Sequence, residues 1–548
     1  MVLKTPLNSS PCPSLKRATQ AFGDQDVDLT NNCDPAPLQD TLLRNNPKDV
    51  NTTQLVANIL ALRSKATAGV DITEADMIPY STVSSGNDSR IFIDREYFTE
   101  AVLPAIASAE QSIHIAMLSF DGGRLAHHVA DMLIEKKRTN PDIEIRVIAD
   151  NLESNALFPW SKGRKNLNRL KNAGIEVVFN NYFTEGMEHR KTIIVDSQKG
   201  FFGGSCFKDN YFGNETFWKA FDDTVQTKGL QAARNGAFLP KEEREESFTI
   251  TPAMERPEYG DFGISLRGPV VHELQGGFLQ SWIKQEQALN PELSDAQLKE
   301  KYFPPLPCSG DLPIKLTRGI PFGHGEMQQN LLSIIEGAEK TLDIEMAYLH
   351  VPAFSEALAK AARRGVQVRL ISNSQKGIDM EASWHVNRQF YPQLLDAGVQ
   401  IYELHKYSHR KFIVADNRMV FVSTGNPEFH SWQKAWDEIA LIDSPDYAAE
   451  VVAKVIHPGL DPENSKEVSQ ADLDAESLWT RIKSAIFCFL FNAIARIYRL
   501  LVNPNLNNEK RVKLMTPAVE RNQNRTHDLG VQGSVAAASP LLLARPAA

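Results

Sequence analysis

Cysteine is scarce in this sequence. Cys12, Cys33, Cys206, Cys308 and Cys488 are scattered, odd in number and without CxxC spacing, which argues against a disulfide framework and a structural zinc site and favours a reducing compartment. An excess of positive charge is missing as well. With 59 Lys+Arg against 68 Asp+Glu the formal net charge is −9, so no global field draws the chain to nucleic acid. Long apolar runs are also absent. The start, MVLKTPLNSSPCPSLKRATQ, has no stretch of signal-peptide length and is broken by Pro6, Pro11 and Pro13, so no Sec export is expected. The most apolar segment, Ile482–Val502, holds a charge-free run, Ser484–Ala495, of only 12 residues, against the roughly 20 that span a bilayer. A cytoplasmic or peripheral membrane protein is the expectation.

What is present is a chain of 548 residues, 42% hydrophobic, enough for one large core or two medium ones. Residues 1–86 read as a partly disordered extension with one short amphipathic helix, Thr52–Thr67, capped by Thr52 or Thr53. Beyond it the sequence repeats itself. Ala109–Met117 (AEQSIHIAM) matches Ala338–Met346 (AEKTLDIEM), Ile143–Ile148 matches Val366–Ile371, and Asn172–Val177 matches Asp396–Ile401. Gly174 and Gly398 sit where a helix ends in a left-handed residue and a strand follows. Each copy reads strand, helix, strand, helix, strand, which predicts two similar α/β lobes packed with pseudo-twofold symmetry around one shared site. The expected boundaries are 87–285 for the first lobe, with an insertion around 207–260, then a linker over 286–310, a second lobe over 311–460, and a basic-apolar helix with a disordered tail over 461–548.

Inside each copy the same constellation follows the third strand: His189-Arg190-Lys191 with Asp196, and His409-Arg410-Lys411 with Asp416. Along an extended strand residues i and i+2 face the same way, so His and Lys project together while the aliphatic run behind them enters the core. Two such matches arise by chance at about one in a thousand, and two in register within a repeat are rarer still. Lysine is a poor metal ligand and the set lacks convergent His, Cys and carboxylate donors, so no metal is expected.

These motifs resemble the phospholipase D superfamily, whose hallmark is HxKxxxxD followed by a Gly/Ser-rich turn and an Asn, occurring twice. The second copy continues Ser423-Thr424-Gly425-Asn426; the first continues Gly203-Gly204-Ser205-Cys206, with cysteine where the family commonly has Asn. Leu266–Trp282 resembles the Gly-Pro-Val…Phe…Trp helix of cardiolipin-synthase-like members. The resemblance implies a metal-free, cofactor-free phosphodiesterase that works in two steps. One imidazole of His189 and His409 attacks phosphorus, the resemblance favouring His189, and the other donates to the leaving oxygen. Lys191 and Lys411, with Ser205, Thr424 and Asn426, would hold the phosphate. By family analogy Asp196 and Asp416 orient the imidazoles.

Two further segments bear on substrate. The insertion is rich in charge across Lys241–Glu246 and reads as a solvated loop, with a lid as the alternative; Phe221-Asp222-Asp223 and Tyr259-Gly260-Asp261 both resemble the acidic start of the strand that should follow it. Arg481–Lys513 carries seven basic residues, Arg481, Lys483, Arg496, Arg499, Lys510, Arg511 and Lys513, against the single acidic Glu509. With Phe487, Phe489 and Phe491 among them, they suit an anionic membrane surface. A phospholipid substrate, hydrolysed or transferred, is therefore expected. An HKD-family nuclease is the alternative, and a catalytically weakened phospholipid-binding protein a lesser one. His127-His128 with Asp131 reads as a surface or packing feature of a helix rather than a metal cluster, since adjacent helical residues diverge by about 100°.

Overall fold

The computed structural model describes residues 51–78, 82–154, 161–180, 185–245, 248–286, 288–321 and 326–502. The expected disordered extension before residue 51, the tail after 502, and Lys510, Arg511 and Lys513 lie outside the described residues. The chain forms two units, Met1–Ile497 and Tyr498–Ala548, and both halves of the repeat lie in the first.

The first lobe contains β1 (Ser84–Ile93), β2 (Ser112–Met117), β3 (Glu144–Asp150), β4 (Glu176–Asn180), β5 (Met187–Glu188), β6 (Lys191–Val195), β7 (Lys199–Gly203) and β8 (Phe262–Arg267). The second contains β9 (Leu312–Gly319), β10 (Thr341–Met346), β11 (Gln367–Asn373), β12 (Gln400–Leu404), β13 (Lys411–Ala415), β14 (Met419–Ser423), β15 (Ala435–Asp443) and β16 (Ser465–Val468). One sheet runs β4-β3-β2-β6-β7-β8-β1 and continues through an antiparallel β1–β9 pair into β15-β14-β13-β10-β11-β12-β16. The triplets β2-β3-β4 and β10-β11-β12 are parallel. The residues after them turn back as antiparallel hairpins, β6-β7 and β13-β14. The duplicated α/β plan is thus the observed one, and Gly174 and Gly398 adopt φ of 81° and 92° at the helix ends where left-handed residues were expected.

The strands that carry the motifs are buried along their whole length, so both sheet faces must be covered. On one face a core common to both lobes is built on the helix Val270–Glu286, and the opposite face has a separate core in each lobe. Helix Thr52–Thr67 belongs to the common core. Its cap is Asn51, whose side chain accepts from the Gln54 amide, rather than Thr52 or Thr53. It packs against Val270–Glu286 at Gly276, where a Cβ would lie 2.4 Å from Leu55 Cδ2 and would push that side chain aside.

Three segments differ from expectation. The span 286–310 is not bare linker: helix Asp295–Tyr302 inserts the Tyr302 ring, whose hydroxyl donates to Glu144 at 2.8 Å while accepting from Arg146. The second sheet continues past 460, because β16 pairs antiparallel with β12. The insertion is not a solvated loop. Helices Glu215–Lys228 and Leu230–Phe238 bury Phe217, Trp218, Phe221 and Phe238 against Phe212. Arg95 ties the bundle down, donating to the carbonyls of Phe212 and Met254 with its guanidinium 4.2 Å from the Phe217 ring. Phe221-Asp222-Asp223 therefore lies in a helix, and Tyr259-Gly260-Asp261 is the lead into β8.

Candidate active site

The two lobes exchange strands at their join, and this places the histidines. β5 runs parallel to the start of β15, so the His189 amide donates to the Trp436 carbonyl at 3.1 Å. In the mirror position Ser408 bridges to Gly260 and the His409 amide donates to the Gly260 carbonyl at 2.7 Å. The residue after each partner is an aspartate, and it reaches the imidazole. His189 Nδ1 lies 2.8 Å from Asp437 Oδ1, and His409 Nδ1 lies 3.0 Å from Asp261 Oδ2. Each dyad crosses the lobes. With Nδ1 engaged, Nε2 is the nitrogen left for chemistry in both rings.

Lys191 and Lys411 open β6 and β13, opposite Met117 and Met346. Each buried ammonium donates to the carbonyl of its own motif histidine, at 2.6 and 2.5 Å. The intervening arginines anchor the strands from behind: Arg190 pairs with Glu188 through two bonds of 2.6–2.7 Å, and Arg410 with Asp94 at 2.8 Å.

Asp196 and Asp416 do not orient the imidazoles. Each follows a five-residue strand that starts at the motif lysine, roughly 16 Å of extended chain away. Each sits in a turn of left-handed residues with φ of 54°. Asp196 accepts from the amides of Glu110, Gln111 and Ser112 at 2.7–3.1 Å, and Asp416 from those of Glu339, Lys340 and Thr341 at 2.7–3.3 Å. They clamp the β6-β7 and β13-β14 turns to the starts of β2 and β10. The orienting carboxylates, Asp437 and Asp261, were visible in the sequence only as acidic residues opening a strand.

Thr424 donates to Asp437 Oδ1 at 2.6 Å while accepting from the Glu438 amide, so it buttresses a dyad rather than lying free for phosphate. Ser205 Oγ and Asn426 Oδ1 are buried without a hydrogen-bond partner among the described residues. Asn426 Nδ2 leans on Glu428, 3.4 Å away. Buried polar atoms of this kind are where an incoming group would be satisfied. Cys206, in the Asn position of the first copy, is buried, and its thiol is pushed up by burial. The His127-His128 pair is a packing feature: His128 lies 4.2 Å from the Phe238 ring and Asp131 is held by Arg169 and Arg234.

The electrostatics follow from burial. Both imidazoles are 6% exposed. Burial, then Lys191, lowers His189 to about 4, against the pull of Asp437. Burial, Lys411 and Lys191 hold His409 well below the imidazole range. Lys411 is itself lowered to about 7 by burial, with Lys191 adding to it, and burial raises Asp261 to about 7. Two lysines and two imidazoles that sense one another's charge form a site that favours an anion.

Two mirror-related His-Lys motifs, each completed by a carboxylate from the opposite lobe, set the class of site, and the known proteins this chain is similar to support the phospholipase D superfamily. The family profile described as "Cardiolipin synthase, PLD-like domain" matches residues 102–219 and 331–457, one segment around each motif. Among individual relatives, a cardiolipin synthase of Alkalihalophilus pseudofirmus is 23% identical over 401 residues, 71% of this chain and 68% of that protein. Cardiolipin synthase 2 of Bacillus anthracis is 25% identical over 431 residues, 76% of this chain and 72% of that protein. Among solved structures, the phosphatidylserine synthase of Haemophilus influenzae shares the fold with a TM-score of 0.54 at 12% identity, covering 80% of this chain and 99% of that one.

Proposed function

We propose that this chain is a phospholipase D-type enzyme that moves the phosphatidyl group of a phospholipid to a hydroxyl acceptor through a phosphohistidine. The observation that carries the reading is the pair of crossed dyads, His189–Asp437 and His409–Asp261, flanked by Lys191 and Lys411. His189 Nε2 attacks phosphorus and the bond to the leaving alcohol breaks as His409 protonates its oxygen. His409 then takes the proton of the acceptor, whose oxygen displaces His189. The lysines hold the non-bridging oxygens as charge grows on them, with Ser205 and Asn426 as further partners. A phosphodiester anion between the lysines offsets their effect on the imidazoles and allows one of them its proton.

The lipid substrate is supported by the cardiolipin synthases among the relatives and by helix Leu478–Val502. That helix packs Phe487 and Phe491 onto the second lobe. Leu478, Trp479, Ile482, Ile486, Phe489 and Leu490 remain exposed, Phe489 by 71%. An exposed aromatic and aliphatic face of this kind suits the headgroup–acyl boundary of a bilayer. Arg481 adds less than its charge promises, since its guanidinium donates to the carbonyls of Leu473 and Asp474; the side chains of Arg496 and Arg499 lie outside the described residues. Among the described residues no helix is long and apolar enough to cross a membrane.

The test is incubation of the full chain with mixed phospholipid vesicles and, separately, with DNA, both in EDTA, followed by mass spectrometry of the products. Phosphatidate or a phosphatidyl-transfer product from the vesicles, with intact DNA, is the expected result. Cleaved DNA with unchanged lipid establishes the nuclease instead.

A further inference from the structure

The two dyads are related by the fold but differ in where each receives its hydroxyl. In the first, Thr424 stands beside Asp437. Because Thr424 Oγ1 accepts from the Glu438 amide at 3.0 Å, its own proton is directed to Asp437 Oδ1, the oxygen that also faces His189 Nδ1. An oxygen that already accepts from a hydroxyl is an acceptor for the imidazole too. His189 Nδ1 therefore carries its proton, and Nε2 presents a lone pair.

The mirror dyad lacks this hydroxyl. The eighth residue after the motif aspartate is Thr424 in one copy and Gly204 in the other, and the two amides make equivalent bonds, to the Glu438 and Phe262 carbonyls. A Cβ on Gly204 would lie 2.0 Å from Asp261 Oδ1, so no side chain fits there. The hydroxyl arrives from elsewhere and lands on the imidazole. Tyr211, buried near the start of the insertion, places its Oη 3.4 Å from His409 Nδ1 with its ring edge-on at 5.8 Å.

We propose that Tyr211 is a positioning residue for His409: its hydroxyl gives Nδ1–H a second acceptor beside Asp261 and so stabilises the proton-donating form of that ring. The inference rests on the phosphatidyl-transfer reading and deepens it. His409 needs such help. It is faced by Lys191 and His189 from the first lobe and by Lys411 from its own, all of which oppose a proton, while Asp261 and Asp379 favour one. Tyr348 and Tyr407 pack against the ring at 6.4 and 6.1 Å, but their hydroxyls bond each other, and Tyr348 donates to Asp379. A hydrogen bond to a ring that becomes charged strengthens as the charge appears, so the Tyr211 contact acts when His409 is the acid and does little for the attack by His189.

That division sets the test. Tyr211→Phe keeps the ring and its packing. In the full chain it is assayed on two short-chain phosphatidyl esters in EDTA, one leaving as an alkyl alcohol and one as p-nitrophenol, whose departure needs no acid. The alkyl ester is expected to lose about tenfold or more in kcat/KM and the nitrophenyl ester under about threefold, with the basic limb of the alkyl pH profile moved to lower pH. Thr424→Val, acting on the nucleophile's dyad, is expected to slow both esters alike. Equal losses on the two esters by Tyr211→Phe, or none on either, overturn the inference. The underlying reading fails separately, if His189→Asn or His409→Asn retains turnover.

Discussion

Each imidazole takes its orientation from a carboxylate of the opposite lobe and its low basicity from burial between two lysines. Because nucleophile and acid act as one unit, replacing either His189 or His409 with Asn is expected to lower kcat by about a thousandfold or more, and the double variant by little beyond that; initial rates on a micellar phospholipid measure it. The pH dependence has a definite sign. The attacking imidazole must be neutral, and with His189 lowered to about 4 the rate falls only as pH drops through that region, below the ordinary histidine value of about 6.5. On the other side, rising pH removes the proton that His409 must donate, from a ring held well below the imidazole range, and then the Lys411 cation at about 7, so the alkaline limb lies far below that of an ordinary lysine. A kcat/KM profile that stays flat from pH 5 to 9 contradicts this. The motif aspartates behave differently. With their carboxylates spent on backbone amides, Asp196→Asn and Asp416→Asn are each expected to cost about 1–3 kcal/mol of stability. Thermal melting should show a clear loss, while kcat at a temperature where the variant is folded stays within about tenfold of the parent.

At the scale of elements, the strand carrying each motif was legible because its logic is local: alternation puts His and Lys on one side and the aliphatic run in the core. The dyads were not, because their partners lie 248 and 148 residues away in sequence, and nothing in a single chain says which acidic strand start faces which histidine. The insertion misled for a related reason. Its charges at Lys241–Glu243 are a surface turn, whereas the aromatic residues before them form the bundle that fixes Tyr211. Helix Leu478–Val502 was recognisable from its apolar-basic composition, yet only packing separates the face with Phe487 and Phe491 from the face with Trp479 and Phe489. Replacing Trp479 and Phe489 together by Ser is expected to remove most co-sedimentation with phosphatidylglycerol vesicles and to slow turnover of bilayer lipid. Activity on a soluble phosphodiester should be retained. Unchanged vesicle binding contradicts a membrane role for this face.

For the whole molecule, duplication explains both what the fold is and why the site lies at the join. Two copies of one sheet order, paired through β1 and β9, bring equivalent loops together, so a motif repeated 220 residues later (409 − 189) becomes the second half of a single site. Departures from the symmetry, Gly204 opposite Thr424 and Cys206 opposite Asn426, are where the two halves can take different roles. The central claim, one shared site in which a single histidine carries the phosphatidyl group, is tested most directly by trapping. The His409→Asn variant is mixed with phosphatidyl-p-nitrophenol in EDTA, denatured under alkaline conditions that preserve phosphohistidine, digested and analysed by mass spectrometry. A phosphatidyl adduct on the peptide containing His189, absent from His189→Asn, is the expected result; no adduct, or one on another residue while turnover persists, contradicts the account.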